Sequence, residues 1–160
     1  MRPLTHGPVT SVLFVCTGNT CRSPLAEVLA RREIERRGLA IEVSSAGTLV
    51  GAGFPASDGS RLAASRRDAD LTDHRSRLLD PAAMDADLVV AMTPGHLADL
   101  RRAHGRELAV ALATEFLPEE HLAHGLPVAD PFGGSVEDYE RVADLLEECV
   151  DALLEWTQTR

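Results

Sequence analysis

A nine-residue stretch, Cys16-Thr17-Gly18-Asn19-Thr20-Cys21-Arg22-Ser23-Pro24, constrains this chain more than any other. It follows an apolar run, Ser11-Val12-Leu13-Phe14-Val15, that reads as a buried strand. It precedes a helix, Leu25 to Arg37, with Leu25, Val28, Leu29 and Ile34 at helical spacing. A thiol therefore sits at the mouth of a strand-loop-helix unit, with the Arg22 guanidinium six positions on. A loop that curls back before a helix aims several backbone N–H groups at one point. Such a concavity holds an anion, and the helix N-terminus adds partial positive charge. The same field suits a thiolate at Cys16. A thiolate beneath a phosphate cradle, with Arg22 gripping two oxygens, is equipped for phosphoryl transfer.

A cysteine and an arginine with five residues between them are a weak signal alone, and any one cysteine is often a small buried hydrophobe. The context narrows the reading: a strand before, Gly18 and Asn19 in the turn, Ser23-Pro24 at a helix start. Proline fits the first helical turn, where its missing N–H is not needed.

The remaining chain alternates strands and helices, which predicts an α/β domain with a parallel sheet. Gly38 stops the first helix, whose charged residues, Arg31, Arg32, Glu33, Glu35, Arg36 and Arg37, mostly face water. Ile41 to Ala46 is the second strand, followed by a glycine-rich loop from Thr48 that borders the substrate crevice. Phe54 is either a wall of that crevice or a loop aromatic tucked against the body. A helix from Ser57 to Asp68 has Leu62 and Ala63 inside, and Leu71 to Arg77 is irregular. Asp80 caps a short helix, Leu88 to Met92 is a central strand, and Thr93 caps a helix that Gly105 ends. Leu108 to Leu112 is an edge strand, and Glu115 to Pro127 is mixed, with one helical turn at Pro118 to His121. Ser135 and Asp138 form a capping box on a final helix. Its apolar face, Val142, Leu145, Leu146, Cys149, Val150, Leu153 and Leu154, includes Cys149 as inert packing.

Length and charge exclude several classes. The 160 residues make one domain, residues 11–160, behind an expected disordered lead at 1–10. No apolar run approaches the roughly 20 residues of a membrane span, and no export signal is expected at the start. A net charge of −9 argues against a nucleic-acid partner. All 16 basic residues are arginine, which excludes a Walker-type lysine loop and a Schiff-base lysine. Three cysteines, with no export signal, fit a reducing cytoplasm. His121 and His124 could share a helical face but lack further ligands nearby, so no metal and no cofactor are expected.

Val15 to Pro24 resembles the phosphate loop of the low-molecular-weight protein tyrosine phosphatases, nearest their bacterial arginine phosphatase branch. A second match, Asp130-Pro131-Phe132-Gly133-Gly134, falls where that family carries its general acid. The resemblance implies a single three-layer, flavodoxin-like domain with four parallel strands in the order 2-1-3-4. It implies Cys16 as nucleophile, Arg22 as oxyanion clamp and Asp130 as general acid, with Thr17, Gly18, Asn19, Thr20, Cys21 and Ser23 around the phosphate. It also implies a support network of Asn19, Ser23, Ser45 and His74, with Phe132 beside the acid. From the residues alone, Ser23 is equally a helix cap, His74 a surface histidine, and Asp130-Pro131 a plain turn.

Cys21 is expected to shield Cys16 by a reversible disulfide, the alternative being a second buried thiol. The expected partners are phosphorylated proteins and, in the loop, inorganic phosphate or another oxyanion. Thr20, Met92-Thr93 and the Phe132-Gly133 pair resemble the arginine type, so phosphoarginine is favoured over phosphotyrosine. Two rivals are an arsenate reductase, which needs later relay cysteines, and a non-catalytic phosphate-binding module, which needs neither Cys16 nor Asp130.

Overall fold

The computed structural model describes residues 5, 7–51, 53–104 and 108–160. Four parallel strands, β1 (Ser11–Cys16), β2 (Glu42–Gly47), β3 (Leu88–Ala91) and β4 (Val110–Leu112), form one sheet in the order β2-β1-β3-β4. Val15 of β1 stands beside Ala46 of β2 and Ala91 of β3. Both faces of the central strands are buried, so they are apolar without alternation. Val12, Phe14, Leu88 and Val90 face a layer built by α1 (Arg22–Arg37), α2 (Asp58–Ser65) and α4 (Val136–Thr157). Leu13, Val15, Val89 and Ala91 face Leu97 and Leu100 of α3 (Pro94–His104) on the other side. This is the expected three-layer α/β domain. Its chain leaves β1 where the connections part to either side, which opens a crevice at the C-terminal end of that strand.

Three of the helix signals read from the sequence are in place. Gly38 ends α1 in the left-handed region, its N–H bonded to the Glu35 carbonyl and the next N–H, of Leu39, to that of Ile34. Ser135 and Asp138 close the capping box on α4. Thr93 Oγ1 accepts from the His96 N–H at 3.2 Å. The predicted stop at Gly105 lies outside the described residues, as do positions 1–4 and 6 of the expected lead. Val9 is buried, and Thr10 donates to Asp87 from both its N–H and its hydroxyl. These bonds, the backbone N–H first, hold the Asp87 carboxyl below its ordinary range.

Several boundaries differ from expectation. β2 starts at Glu42 rather than Ile41 and includes Gly47. α2 ends at Ser65, and Leu62 is 39% exposed because Ser60, Ala63 and Ala64 occupy its inner side. The stretch after Asp80 is one turn, with Asp80 Oδ1 accepting from Ala83 N–H at 2.7 Å, not a helix. A 3-10 helix at Ala113–Phe116 was not foreseen; its Phe116 packs edge-on against Trp156. Glu33 is buried rather than facing water. Arg36, then Arg37, bond its carboxylate and hold it down to about 2.

Candidate active site

β1 delivers Cys16 to the C-terminal end of the sheet and α1 begins at Arg22, so five residues must reverse the chain. Asn19 makes the turn with φ at 54°, a left-handed conformation that Asn tolerates better than most residues. Gly47 lets β2 come close: a Cβ there would lie 2.5 Å from the Thr17 carbonyl oxygen. The loop spends its carbonyls on the body of the protein. Cys16 O accepts from Thr48 N–H, Thr17 O from Leu49 N–H, and Thr20 O from Ser57 N–H. Asn19 O accepts from His74 Nε2 at 2.7 Å, and Cys21 O from Ser60 Oγ at 3.2 Å. With these carbonyls bonded to the body of the protein, the N–H groups of Gly18 to Cys21 are left without a protein acceptor among the described residues.

Asn19 organises the interior of the loop. Its Nδ2 donates to Ser23 Oγ and Ser45 Oγ, both at 2.9 Å. Its Oδ1 accepts from the Arg77 N–H at 3.0 Å. Ser23 Oγ lies 2.8 Å from Cys16 Sγ. Since Asn19 Nδ2 is only a donor, Ser23 accepts from it and keeps its own proton for the sulfur. Ser23 is thus bonded to the thiol as expected, and it lies within α1 rather than capping it.

Arg22 is buried at the start of α1. Its Nη1 donates to Val128 O at 3.0 Å, its Nη2 lies 3.7 Å from Asp130 Oδ2, and its Nε has no partner among the described residues. The Asp130 side chain is 56% exposed, on a loop after β4, and its Oδ1 accepts from Phe132 N–H at 3.1 Å. A cavity of about 360 Å³ joins these groups. Cys16, Thr17, Gly18, Thr20, Cys21 and Arg22 line its floor, with Leu49, Phe54 and Phe132 at its walls beside Asp130. Phe54 is therefore a wall and not tucked in. All the sequence-predicted catalytic and phosphate-binding residues meet here, except that Asn19 and Ser23 stand just beneath.

A family model described as low molecular weight phosphotyrosine protein phosphatase matches residues 11–160. A low molecular weight protein-tyrosine phosphatase A from Mycobacterium tuberculosis is 34% identical over 151 residues, covering 93% of this chain and 92% of its own. A protein-arginine-phosphatase from Bacillus subtilis is 38% identical over 144 residues, covering 89% and 93%. Among solved structures, an arginine phosphatase mutant with a phosphorylated active-site serine aligns with TM-score 0.84 and 36% identity, covering 92% and 95%. The chain belongs to the low-molecular-weight phosphotyrosine protein phosphatase family.

Within this family of protein phosphatases, the chain also carries contacts that the sequence reading missed. His96 of α3 places Nε2 2.8 Å from Thr17 Oγ1. Arg77 Nε donates to Ser45 O at 3.0 Å. Cys21 Sγ donates to Ser57 Oγ at 3.2 Å and lies 3.6 Å from the Tyr139 hydroxyl. No local spacing announces these pairs, although a histidine three residues after a helix cap was a findable position. Cys149 is 3% exposed, and burial pushes its thiol up to about 12, which suits packing and not a disulfide relay. His121 pairs with Glu148 and His124 with the Leu117 carbonyl, so the two imidazoles serve different partners. No cluster of three or more metal-ligating side chains occurs among the described residues. No described helix is long and apolar enough to cross a membrane.

The Asn19 network carries a stability prediction. Asn19→Ala strands the buried Ser45 hydroxyl and the Arg77 N–H, and places a Cβ residue with no local hydrogen bond in the left-handed region. The expected loss of unfolding free energy is at least about 2 kcal/mol. Urea unfolding of the two proteins checks this; equal midpoints would contradict it.

Proposed function

We propose that the protein hydrolyses phosphorylated protein side chains in two displacements at Cys16. The Cys16 thiolate attacks phosphorus, and the bond from phosphorus to the side-chain oxygen or nitrogen breaks. Asp130 gives its proton to that leaving atom. Water then attacks the phosphocysteine, Asp130 takes its proton, the P–S bond breaks, and inorganic phosphate leaves. Arg22 and the N–H groups from Thr17 to Ser23 hold the equatorial oxygens while charge builds on them. The loop supplies that positive field itself, so no metal is needed. Asn19, Ser45 and His74 keep the loop in shape, and Ser23 donates to the thiolate.

The observation that carries this reading is the division of labour in the loop: the carbonyls of Cys16, Thr17, Asn19, Thr20 and Cys21 are bonded to the protein, and the N–H groups of Gly18 to Cys21 have no acceptor among the described residues. A phosphate-binding module has no use for a sulfur bonded by Ser23 or for a carboxylate across the cavity. The solved relative with a phosphorylated active-site serine supports a covalent intermediate at the nucleophile position. The net charge of −9 and three free cysteines suit a cytoplasmic enzyme acting on proteins.

Phosphoarginine is the favoured substrate. Thr20 keeps the floor polar, Asp130 offers a carboxylate to a guanidinium, and the Bacillus subtilis relative is named an arginine phosphatase. One observation favours phosphotyrosine: Phe54 and Phe132 give the mouth two aromatic walls. Phosphoarginine and phosphotyrosine peptides of one sequence distinguish the two. The parent should have the higher kcat/KM on phosphoarginine, and Thr20→Ile should lower that preference about tenfold. Faster phosphotyrosine turnover by the parent would overturn the choice.

Cys21 adds a redox safeguard. Peroxide oxidises the Cys16 thiolate to a sulfenic acid; the Cys21 thiol attacks that sulfur, water leaves, and a disulfide forms. Both thiols are free and buried, and Cys21 must leave Ser57 to react. After peroxide and then a thiol reductant, the parent should recover most of its activity and Cys21→Ser little. Equal recovery would refute the safeguard.

A further inference from the structure

His96 enters the loop from the opposite layer of the domain. It sits in the first turn of α3, is 6% exposed, and reaches Thr17 Oγ1 at 2.8 Å. Its Nδ1 is buried with no partner among the described residues. Thr17 directly follows Cys16 and lines the same cavity. Building on the phosphatase reading above, we infer that His96 is a positioning residue, which donates its Nε2–H to Thr17 Oγ1 and so directs the Thr17 hydroxyl proton to the bound oxyanion.

Two neutral tautomers are available to the ring. With hydrogen on Nδ1, a buried N–H has no acceptor, and Nε2 draws the Thr17 proton away from the cavity. Orphaned buried N–H groups are rare because desolvation is uncompensated. With hydrogen on Nε2, only a lone pair is left unpaired at Nδ1, the smaller loss. Thr17 Oγ1 is then an acceptor towards α3, and its own proton is free for the anion. The hydroxyl thus joins the N–H groups of the loop as one more donor to the oxyanion.

The charges around the ring agree with this arrangement. Burial first, then Arg22 of α1, push the imidazole below its ordinary range, against the opposing pull of Asp99 on α3 and Asp130 on its loop. His96 therefore stays neutral at pH 7 and holds one proton to place. A histidine with a depressed native pKa favours folding above its unfolded value of about 6.5 and loses that contribution as pH falls below it.

The tautomer is read directly by 15N NMR of the labelled full chain with saturating inorganic phosphate. Hydrogen on Nε2 is expected; hydrogen on Nδ1 would overturn the inference. Kinetics with para-nitrophenyl phosphate give the second arm. A His96→Gln amide reaches the place of Nε2, whereas His96→Asn reaches only that of Nδ1. His96→Asn should lower kcat about tenfold, the worth of one hydrogen bond, and His96→Gln about threefold or less. In a Thr17→Val background the two should fall together. Equal losses for Gln and Asn with Thr17 intact, in variants that melt like the parent, would also overturn it. If neither variant folds, the tautomer alone decides. Parent turnover no faster than Cys16→Ser would instead remove the phosphatase reading, an outcome separable from failure of the His96 arm.

Discussion

Cys16→Ser should turn over para-nitrophenyl phosphate at least about 10⁴-fold more slowly than the parent, with inorganic phosphate bound nearly as well. The two halves of this result have different physical origins. In the proposed mechanism binding comes from the N–H groups of the loop and from Arg22, none of which needs the sulfur. Turnover needs an anionic nucleophile at the floor of the cavity. A hydroxyl remains protonated at neutral pH and has no adjacent base to take its proton: Ser23, its neighbour, is already receiving from Asn19. Steady-state rates, with phosphate as a competitive inhibitor, measure both halves. Loss of phosphate affinity in step with rate would mean that Cys16 holds the fold of the loop and does not carry the chemistry.

Asp130→Asn should lower kcat on phosphopeptides about 10²- to 10³-fold, and by less on para-nitrophenyl phosphate. Nitrophenolate leaves without a proton, while a phenol or a guanidine needs one as its bond to phosphorus breaks. The ratio of the two effects therefore reports proton donation specifically. Asn also removes the charge that faces Arg22 at 3.7 Å, so phosphate affinity should rise modestly. An equal loss on both substrates would assign Asp130 to positioning Arg22 instead of to acid catalysis.

The phosphate loop was legible because everything that defines it is local. An apolar strand, a turn with Gly18 and Asn19, and Ser23-Pro24 at a helix start leave one way to arrange Cys16 and Arg22. Asp130 is remote from that loop and was placed through the second motif of the family resemblance, not through any spacing. His74 was read as either a network member or a surface residue; its Nε2 lies 2.7 Å from the Asn19 carbonyl oxygen. What was hidden depends on packing between distant segments. His96 meets Thr17, and Tyr139 meets Cys21, only because the sheet order brings α3 and α4 to opposite sides of one loop. Glu33 was hidden for a different reason. In a run of charged residues the inward one is decided by partners, here Arg36 and Arg37 on its own helix, and composition cannot rank them. Leu62 failed the other way: small Ala63 and Ala64 let α2 lie close to its neighbours, and the larger side chain was turned out.

A covalent bond between phosphorus and the sulfur of residue 16 is the claim on which the mechanism rests. Rapid acid quench of the parent with excess phosphorylated substrate, followed by peptide mass spectrometry, measures it directly. The mechanism predicts a phosphoryl adduct on the peptide containing Cys16, formed within the first turnover and borne by the Cys16 sulfur. Full phosphate release with no adduct on that peptide at any time would contradict it.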